Sequence, residues 1–389
     1  MRKTYKYRIY PSKSQEKILT EQLEICRKLY NTLLLERKTA YETNKETISM
    51  YAQHKRITEL KEIRADMKLN SVYSQVLQDV AMRIDLAFKA FFRRIKNKKI
   101  SESVGYPRFK GYGRYDSITY KQYGNGIKIL DESVKGKINV SKVGHIKTTF
   151  HRKLESEVKT VVISKSSTNK WYVSFSCELD QKLLPKSNEN IGIDVGLETF
   201  AYMSDDSKID NPRFFRKEEK SLAKSNRKLA KFPKPSKEKR SSKKREKAKK
   251  TVCRIYERIK FKRENFVHQE TRKIINKYQI IAIEDLRVNG MMHNHCLAKS
   301  ISDASWSLFF SILDFKAEEA GRSVIKVNPA YTSQDCSQCG HREKKLLSTR
   351  IHKCNCCGLT INRDLNASIN ILRIGLDSLG IQSLEANDL

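Results

Sequence analysis

No stretch of the 389 residues reaches the roughly 18 consecutive apolar residues that a membrane-spanning helix needs. The opening Met1-Arg2-Lys3-Thr4-Tyr5 also lacks the apolar core of a secretory leader, so a cytosolic protein with no membrane partner is expected. Acidic residues are scarce: 44 Asp and Glu face 78 Lys and Arg, a formal charge of +34. A solvated surface kept for solubility explains a few units of charge, whereas an excess spread along most of the chain points to a polyanionic partner, nucleic acid above all. The nine cysteines do not suit a disulfide framework in that compartment. Cys26, Cys177, Cys253 and Cys296 are scattered and read as ordinary thiols, while four of the last five fall into pairs. No internal repeat is visible, and the length suits two to four modules, one of which can interrupt another.

Tyr5, Tyr7 and Ile9 alternate with polar neighbours up to Pro11, the period of a half-buried strand. Ser12 and Gln15 form a capping-box pattern, and Leu19, Leu23, Cys26, Tyr30 and Leu33 then recur at helical spacing. After a polar break, Leu77, Val80, Ile84, Phe88, Phe91 and Ile95 do the same, so residues 12–104 are expected to be a helical module. From Gly105-Tyr106-Pro107 the texture becomes β-rich. Val161 and Ile163, the turn Ser166-Ser167-Thr168-Asn169, and Trp171, Val173, Phe175 and Cys177 predict a hairpin. Residues 105–187, completed by 1–11, are expected to form a β-barrel. Further on, strands at Ile191–Gly196, Thr199–Tyr202, Ile280–Glu284 and Ser323–Val327 alternate with helical segments, which indicates an α/β domain. A basic helical stretch from Arg213 to Arg263 bends near Pro233, Pro235 and Ser241-Ser242. It reads either as a solvated face or as a phosphate-contacting surface.

Three acids occupy unusual places. Asp194 interrupts an apolar strand, Glu284 ends another, and Asp364 starts a helix running through Ala367, Ile371 and Ile374. A carboxylate on a core strand is costly unless it is paired or binds a cation. Two hard divalent ions roughly 4 Å apart, held by such a set, perform phosphodiester hydrolysis. The plainer readings are solvent exposure or pairing with a residue such as Arg287 for the two strand acids, and simple helix capping for Asp364. Asp285 is the weaker neighbour of Glu284, because strand alternation sends the two to opposite faces.

Cys336-Ser337-Gln338-Cys339 is followed, after 14 residues, by Cys354-Asn355-Cys356-Cys357. Two residues between paired thiolates suit one tetrahedral zinc, with Gly340 and Gly358 at the knuckle turns. Cys357 repeats the first pair's spacing and is preferred over Cys356 as the partner of Cys354. His341 and His352 are alternative ligands. Four cysteines with no open position describe a structural ion rather than a catalytic one.

Ile193-Asp194-Val195-Gly196-Leu197, Ile283-Glu284-Asp285-Leu286, the Ser300–Trp306 segment, Thr332-Ser333-Gln334-Asp335-Cys336 through Gly340, and Asn362-Arg363-Asp364-Leu365-Asn366-Ala367 closely resemble, in order and spacing, TnpB, the OrfB protein of transposons. The resemblance covers nearly the whole chain. It implies a multidomain α+β protein: a RuvC-type, RNase H-like α/β nuclease domain at 188–333 and 360–389, with a zinc ribbon inserted at 334–359 that contacts target nucleic acid. It also implies a wedge-type β-barrel at 1–11 and 105–187, interrupted by the helical recognition module. By position, Asp194, Glu284 and Asp364 would hold two Mg2+, and Cys336, Cys339, Cys354 and Cys357 one Zn2+. The implied activity is RNA-guided DNA endonuclease: the protein binds guide RNA from the transposon end, recognises a short transposon-adjacent motif in double-stranded DNA, and cuts guide-matched DNA. A monomer within a ribonucleoprotein, in prokaryotic cytoplasm at the nucleoid, is expected. Gln75 and Gln78 fall where family members approach the adjacent motif and could read base edges, although helix-surface glutamines are usually solvated. Type V CRISPR effectors share this ancestry. Two further readings remain, a guide-dependent DNA-binding regulator that does not cleave and a zinc-ribbon transposase acting without RNA.

Overall fold

Alternation at the N-terminus produces a central strand. In β1 (Arg2–Tyr10) the side chains of Tyr5, Tyr7 and Ile9 are buried, and the strand pairs antiparallel with β7 (Trp171–Glu178) on one side and β5 (Gly144–Thr149) on the other. The computed structural model describes residues 1–97, 104–235, 241–346 and 349–381, and the chain divides into two units, Met1–Leu179 and Asp180–Leu389.

In the first unit the capping box forms as expected. Ser12 Oγ accepts from the Gln15 N–H, and the Gln15 side chain accepts from the Ser12 N–H, opening α1 (Lys13–Asn44). The expected polar break contains a helix, α2 (Met50–Ile63), before α3 (Ser74–Lys96). Only Gln53, Ile57 and Leu60 of α2 are buried, too narrow a stripe to show as periodicity, and one of the three is polar: Gln53 donates to the Leu33 carbonyl at 2.9 Å. Strands β2 (Ser117–Tyr120), β3 (Ile127–Asp131), β4 (Gly136–Val140) and β6 (Val158–Lys165) complete a seven-stranded sheet of order β2-β6-β7-β1-β5-β4-β3. The expected barrel thus takes the form of a half-barrel with β2 and β3 at its edges. The β6–β7 hairpin turns at Ser166–Asn169, where Asn169 takes φ 63°.

The second unit is layered. Its sheet, of order β10-β9-β8-β11-β12, comprises β8 (Asn190–Val195), β9 (Thr199–Met203), β10 (Lys208–Asp210), β11 (Ile280–Glu284) and β12 (Ser323–Val327). Strands β8 and β12 each run parallel to β11. Ile191, Ile193, Ile281 and Ile283 face a core shared with Phe200 and Val267 and with α5 (Lys243–Lys277) and α8 (Trp306–Ala320). The basic stretch folds as α4 (Phe214–Ala230) and α5, so the helix break falls where the prolines and serines predict it; residues 236–240 lie outside the described set. Two short helices, α6 (Val288–Met291) and α7 (Ala298–Ala304), precede α8. After β12 come the antiparallel pair β13 (Ile351–Lys353) and β14 (Thr360–Asn362), and then α9 (Arg363–Asp377). Helix α9 covers the opposite face of the sheet, where Ala282 and Val327 pack on Ile371. The Asn387-Asp388 tail falls outside the described residues. Among the described residues no helix is long and apolar enough to cross a membrane.

Candidate metal centre

Gly192 and Asp194 lie two residues apart on β8 and so share a face, as do Ala282 and Glu284 on β11. The parallel register aligns Gly192 with Ala282 and Ile193 with Ile283, which brings Asp194 and Glu284 side by side at the carboxyl ends of neighbouring strands. The small residues below them let α9 approach closely. A Cβ on Gly192 would stand 2.1 Å from the Ser368 carbonyl oxygen, and one on Gly375 would stand 2.7 Å from Ala282 Cβ. Asp364 lies one helical turn before Ser368 and is thereby carried toward the two strand carboxylates.

The electrostatics record that proximity. Burial pushes the Asp194 carboxyl well above the usual carboxylate range, the Glu284 and Asp364 carboxylates push it further, and the Arg363 guanidinium offsets part of this. Glu284 is also raised by burial, against a hydrogen bond donated by Thr332 Oγ1 to its Oε1 at 2.6 Å. Arg363 reaches Asp364 Oδ1 at 3.2 Å. Helix capping does not account for Asp364, because the N-cap of α9 is Asn362, whose side chain accepts from the Asp364 and Leu365 N–H groups. Asp285 is exposed and Glu284 half-buried, as strand alternation requires. Three acids drawn together, with Arg363 as the guanidinium among the described contacts, form a donor set of hard oxygens rich in negative charge, which suits divalent cations such as Mg2+.

The cysteines form a second centre. The sulfurs of Cys336, Cys339, Cys354 and Cys357 all lie within 4.8 Å of one another, with Cys356 outside the set. Gly340 and Gly358 take φ 74° and 79°, and their N–H groups donate back to the Cys336 and Cys354 carbonyls. Such turns need the left-handed conformation that glycine adopts freely. Backbone N–H groups, that of Cys357 foremost, lower the Cys354 thiol, while burial and the neighbouring Cys339, Cys336 and Cys354 sulfurs raise Cys357. His341 contacts Glu343 and His352 Nδ1 contacts Lys345, and neither histidine belongs to the four-sulfur group. The group fits a four-coordinate zinc.

Gln75 and Gln78 sit one turn apart on α3. The Gln75 side chain donates to Gln122 Oε1 at 2.8 Å, and Gln78 is exposed. Sequence reasoning missed Gly192, Thr332, Asn366 and Asn370, which build the carboxylate pocket from below and beside. A glycine inside an apolar strand was a readable sign of close backbone approach.

Residues 306–371 match the family model described as Cas12f1-like, TNB domain; residues 174–295 match that described as "Probable transposase" of the OrfB group, and residues 1–46 its helix-turn-helix domain. A protein of Streptomyces pristinaespiralis bearing the name RNA-guided DNA endonuclease is 30% identical over 381 residues, covering 97% of this chain and 90% of that one. The chain belongs to the TnpB family. Similarity within the family extends to InsQ of Escherichia coli strain K12, 28% identical over 95% of this chain and 92% of that protein. The solved structure of the mini-RNA-guided endonuclease CRISPR-Cas_phi3 superposes with a TM-score of 0.52 at 12% identity, covering 97% of this chain and 92% of that one, which shows a shared fold.

Proposed function

We propose that this TnpB-family protein is an RNA-guided DNA endonuclease. In this reading it binds a transposon-derived guide RNA, recognises a short adjacent motif in double-stranded DNA, and cuts the guide-matched DNA at Asp194, Glu284 and Asp364. The observation that carries the reading is the convergence of those three carboxylates from two strands and a helix, so close that each of the other two raises Asp194. The names borne by the relatives support the same activity.

Two Mg2+ ions held by the three carboxylates would supply an activated water and charge stabilisation at the leaving oxygen. The chain's own contribution is positional. Strands β8 and β11 fix two carboxylates side by side, Asn362 frees Asp364 from capping, and Arg363 holds that carboxylate from behind. The basic α4–α5 surface would contact phosphate backbone, while pairing with the guide supplies sequence selection, which is why the positive charge is spread rather than local. The zinc ribbon, 334–359, is a structural insertion within a nuclease domain of 188–333 and 360–389, contacting target nucleic acid. Residues 1–11 and 105–187 form the wedge module around a recognition module of 12–104, where Gln75 and Gln78 face the adjacent motif. The working state is a monomeric ribonucleoprotein in prokaryotic cytoplasm at the nucleoid.

Intact carboxylates at all three positions argue against a regulator that binds without cutting. Sequencing the RNA that co-purifies with the protein tests guidance directly: one defined species ending in a variable segment is expected, and random RNA would refute it.

A further inference from the structure

Thr332 belongs to the connection leading into the ribbon, yet it is buried and bonded to two of the three carboxylate-bearing elements, β11 and α9. A hydroxyl has one proton, and the 2.6 Å contact to Glu284 Oε1 takes it, leaving the 3.3 Å approach to the Pro329 carbonyl as the weaker contact. On its other side the Thr332 carbonyl accepts from Asn370 Nδ2 at 2.9 Å. Asn370 also donates to the Asp335 carbonyl at 2.7 Å, and Asn366 donates to that same carbonyl at 2.8 Å while accepting from the Ser337 N–H at 2.9 Å. Asn366 and Asn370 are 0% and 1% exposed and four residues apart on α9, so they share one face of the helix that also bears Asp364. Full burial of two amides is costly unless they are satisfied; Arg373 donates to Asn370 Oδ1 at 3.0 Å, and the bonds that both amides donate go to one segment, 332–335.

We propose that Thr332 is a positioning residue for the carboxylate site: its hydroxyl fixes the orientation of Glu284, while its carbonyl, held by Asn370, keeps that carboxylate in register with Asp364. This rests on the metal-site reading above. Glu284 comes from β11 and Asp364 from α9, and through Thr332 the 332–337 segment forms a polar bridge from Glu284 to the helix that bears Asp364. Groups that orient metal-ligating carboxylates typically change metal affinity or activity about 10–100-fold when removed.

The test compares Thr332→Val, which keeps the shape and loses the hydroxyl, with Thr332→Ser, which keeps the hydroxyl. Mn2+ binding to the full chain is followed by electron paramagnetic resonance, counting as site-specific the part that Asp194→Ala removes. The Mg2+ concentration for half-maximal cleavage is measured on the guide-loaded protein. Thr332→Val should weaken the site-specific Mn2+ binding and raise the Mg2+ requirement about 10-fold with unchanged guide affinity, and Thr332→Ser should restore both to within about twofold. Wild-type Mn2+ binding by Thr332→Val, or equal defects in the Val and Ser variants, would overturn the assignment. If Asp194→Ala itself removed no Mn2+ binding, the metal-site reading would fall first, and Thr332 with it.

Discussion

Replacing Gly192 by alanine tests how α9 brings Asp364 to the strand carboxylates. The added Cβ would meet backbone on the covering helix: 2.1 Å from the Ser368 carbonyl oxygen and 2.7 Å from the Leu372 nitrogen, where ordinary contact begins near 3.4 Å. Neither atom sits at the end of a flexible side chain, so helix and strand must separate by roughly 1 Å or distort. Overpacking of this kind costs about 1–3 kcal/mol. For a unit of this size that lowers the melting temperature by about 2–4 °C per kcal/mol. The functional loss should be larger, because a displacement of about 1 Å at a catalytic group costs on the order of 100-fold in rate. Thermal unfolding of the full chain, guide-RNA filter binding and single-turnover cleavage of a matched duplex separate these effects. Guide affinity should hold while the cleavage rate drops. A Gly192→Ala protein with unchanged melting temperature and rate would refute the close-approach argument.

Asp194→Asn should stabilise the metal-free protein near neutral pH. Burial, Glu284 and Asp364 raise the folded-state pKa of Asp194, so its stabilising contribution is present below the ordinary carboxylate range and is lost as pH rises through the folded value. The stability gap between variant and wild type should therefore open with rising pH and close in acid, and added Mg2+ should raise the wild-type melting temperature but not the variant's. A pH-independent gap in chemical denaturation would contradict this. Cys336→Ser should eliminate bound zinc by elemental analysis. Because Asn366 is bonded to the Ser337 N–H beside that ligand, it should also slow cleavage at least about 10-fold. Full activity without zinc would show the ribbon to be dispensable.

Patterns that are local in sequence were legible. The β1 alternation, the Ser12–Gln15 box, the hairpin about Asn169, the strands bearing Asp194 and Glu284 and the paired cysteines all follow from period, turn chemistry or ligand spacing. Short or irregular elements were not. Strand β3 slips register between Ile129 and Asp131, and β10 has three residues, so neither offers a clean period. Long-range roles were invisible for a different reason. Asp303, in the motif Ser300–Trp306, accepts from the Phe215 and Arg216 N–H groups at the start of α4 and pairs with Arg263 at 2.7 Å, bonds that span 88, 87 and 40 residues. Thr332, Asn366 and Asn370 acquire meaning in the same way, only when folding sets a ribbon connection beside a strand end and a helix. The order strand-Asp, strand-Glu, helix-Asp could be read from the sequence; what holds the three together could not.

The most direct measurement places the wild-type protein and Asp194→Ala, each loaded with the same guide, on one plasmid carrying the matched target beside a library of adjacent motifs, in Mg2+. The wild type should cut only the matched plasmid and only at members of the library sharing a motif, and Asp194→Ala should bind guide and target equally while cutting neither strand. Cleavage that survives Asp194→Ala, or a wild-type protein that leaves every library member intact, would contradict the account.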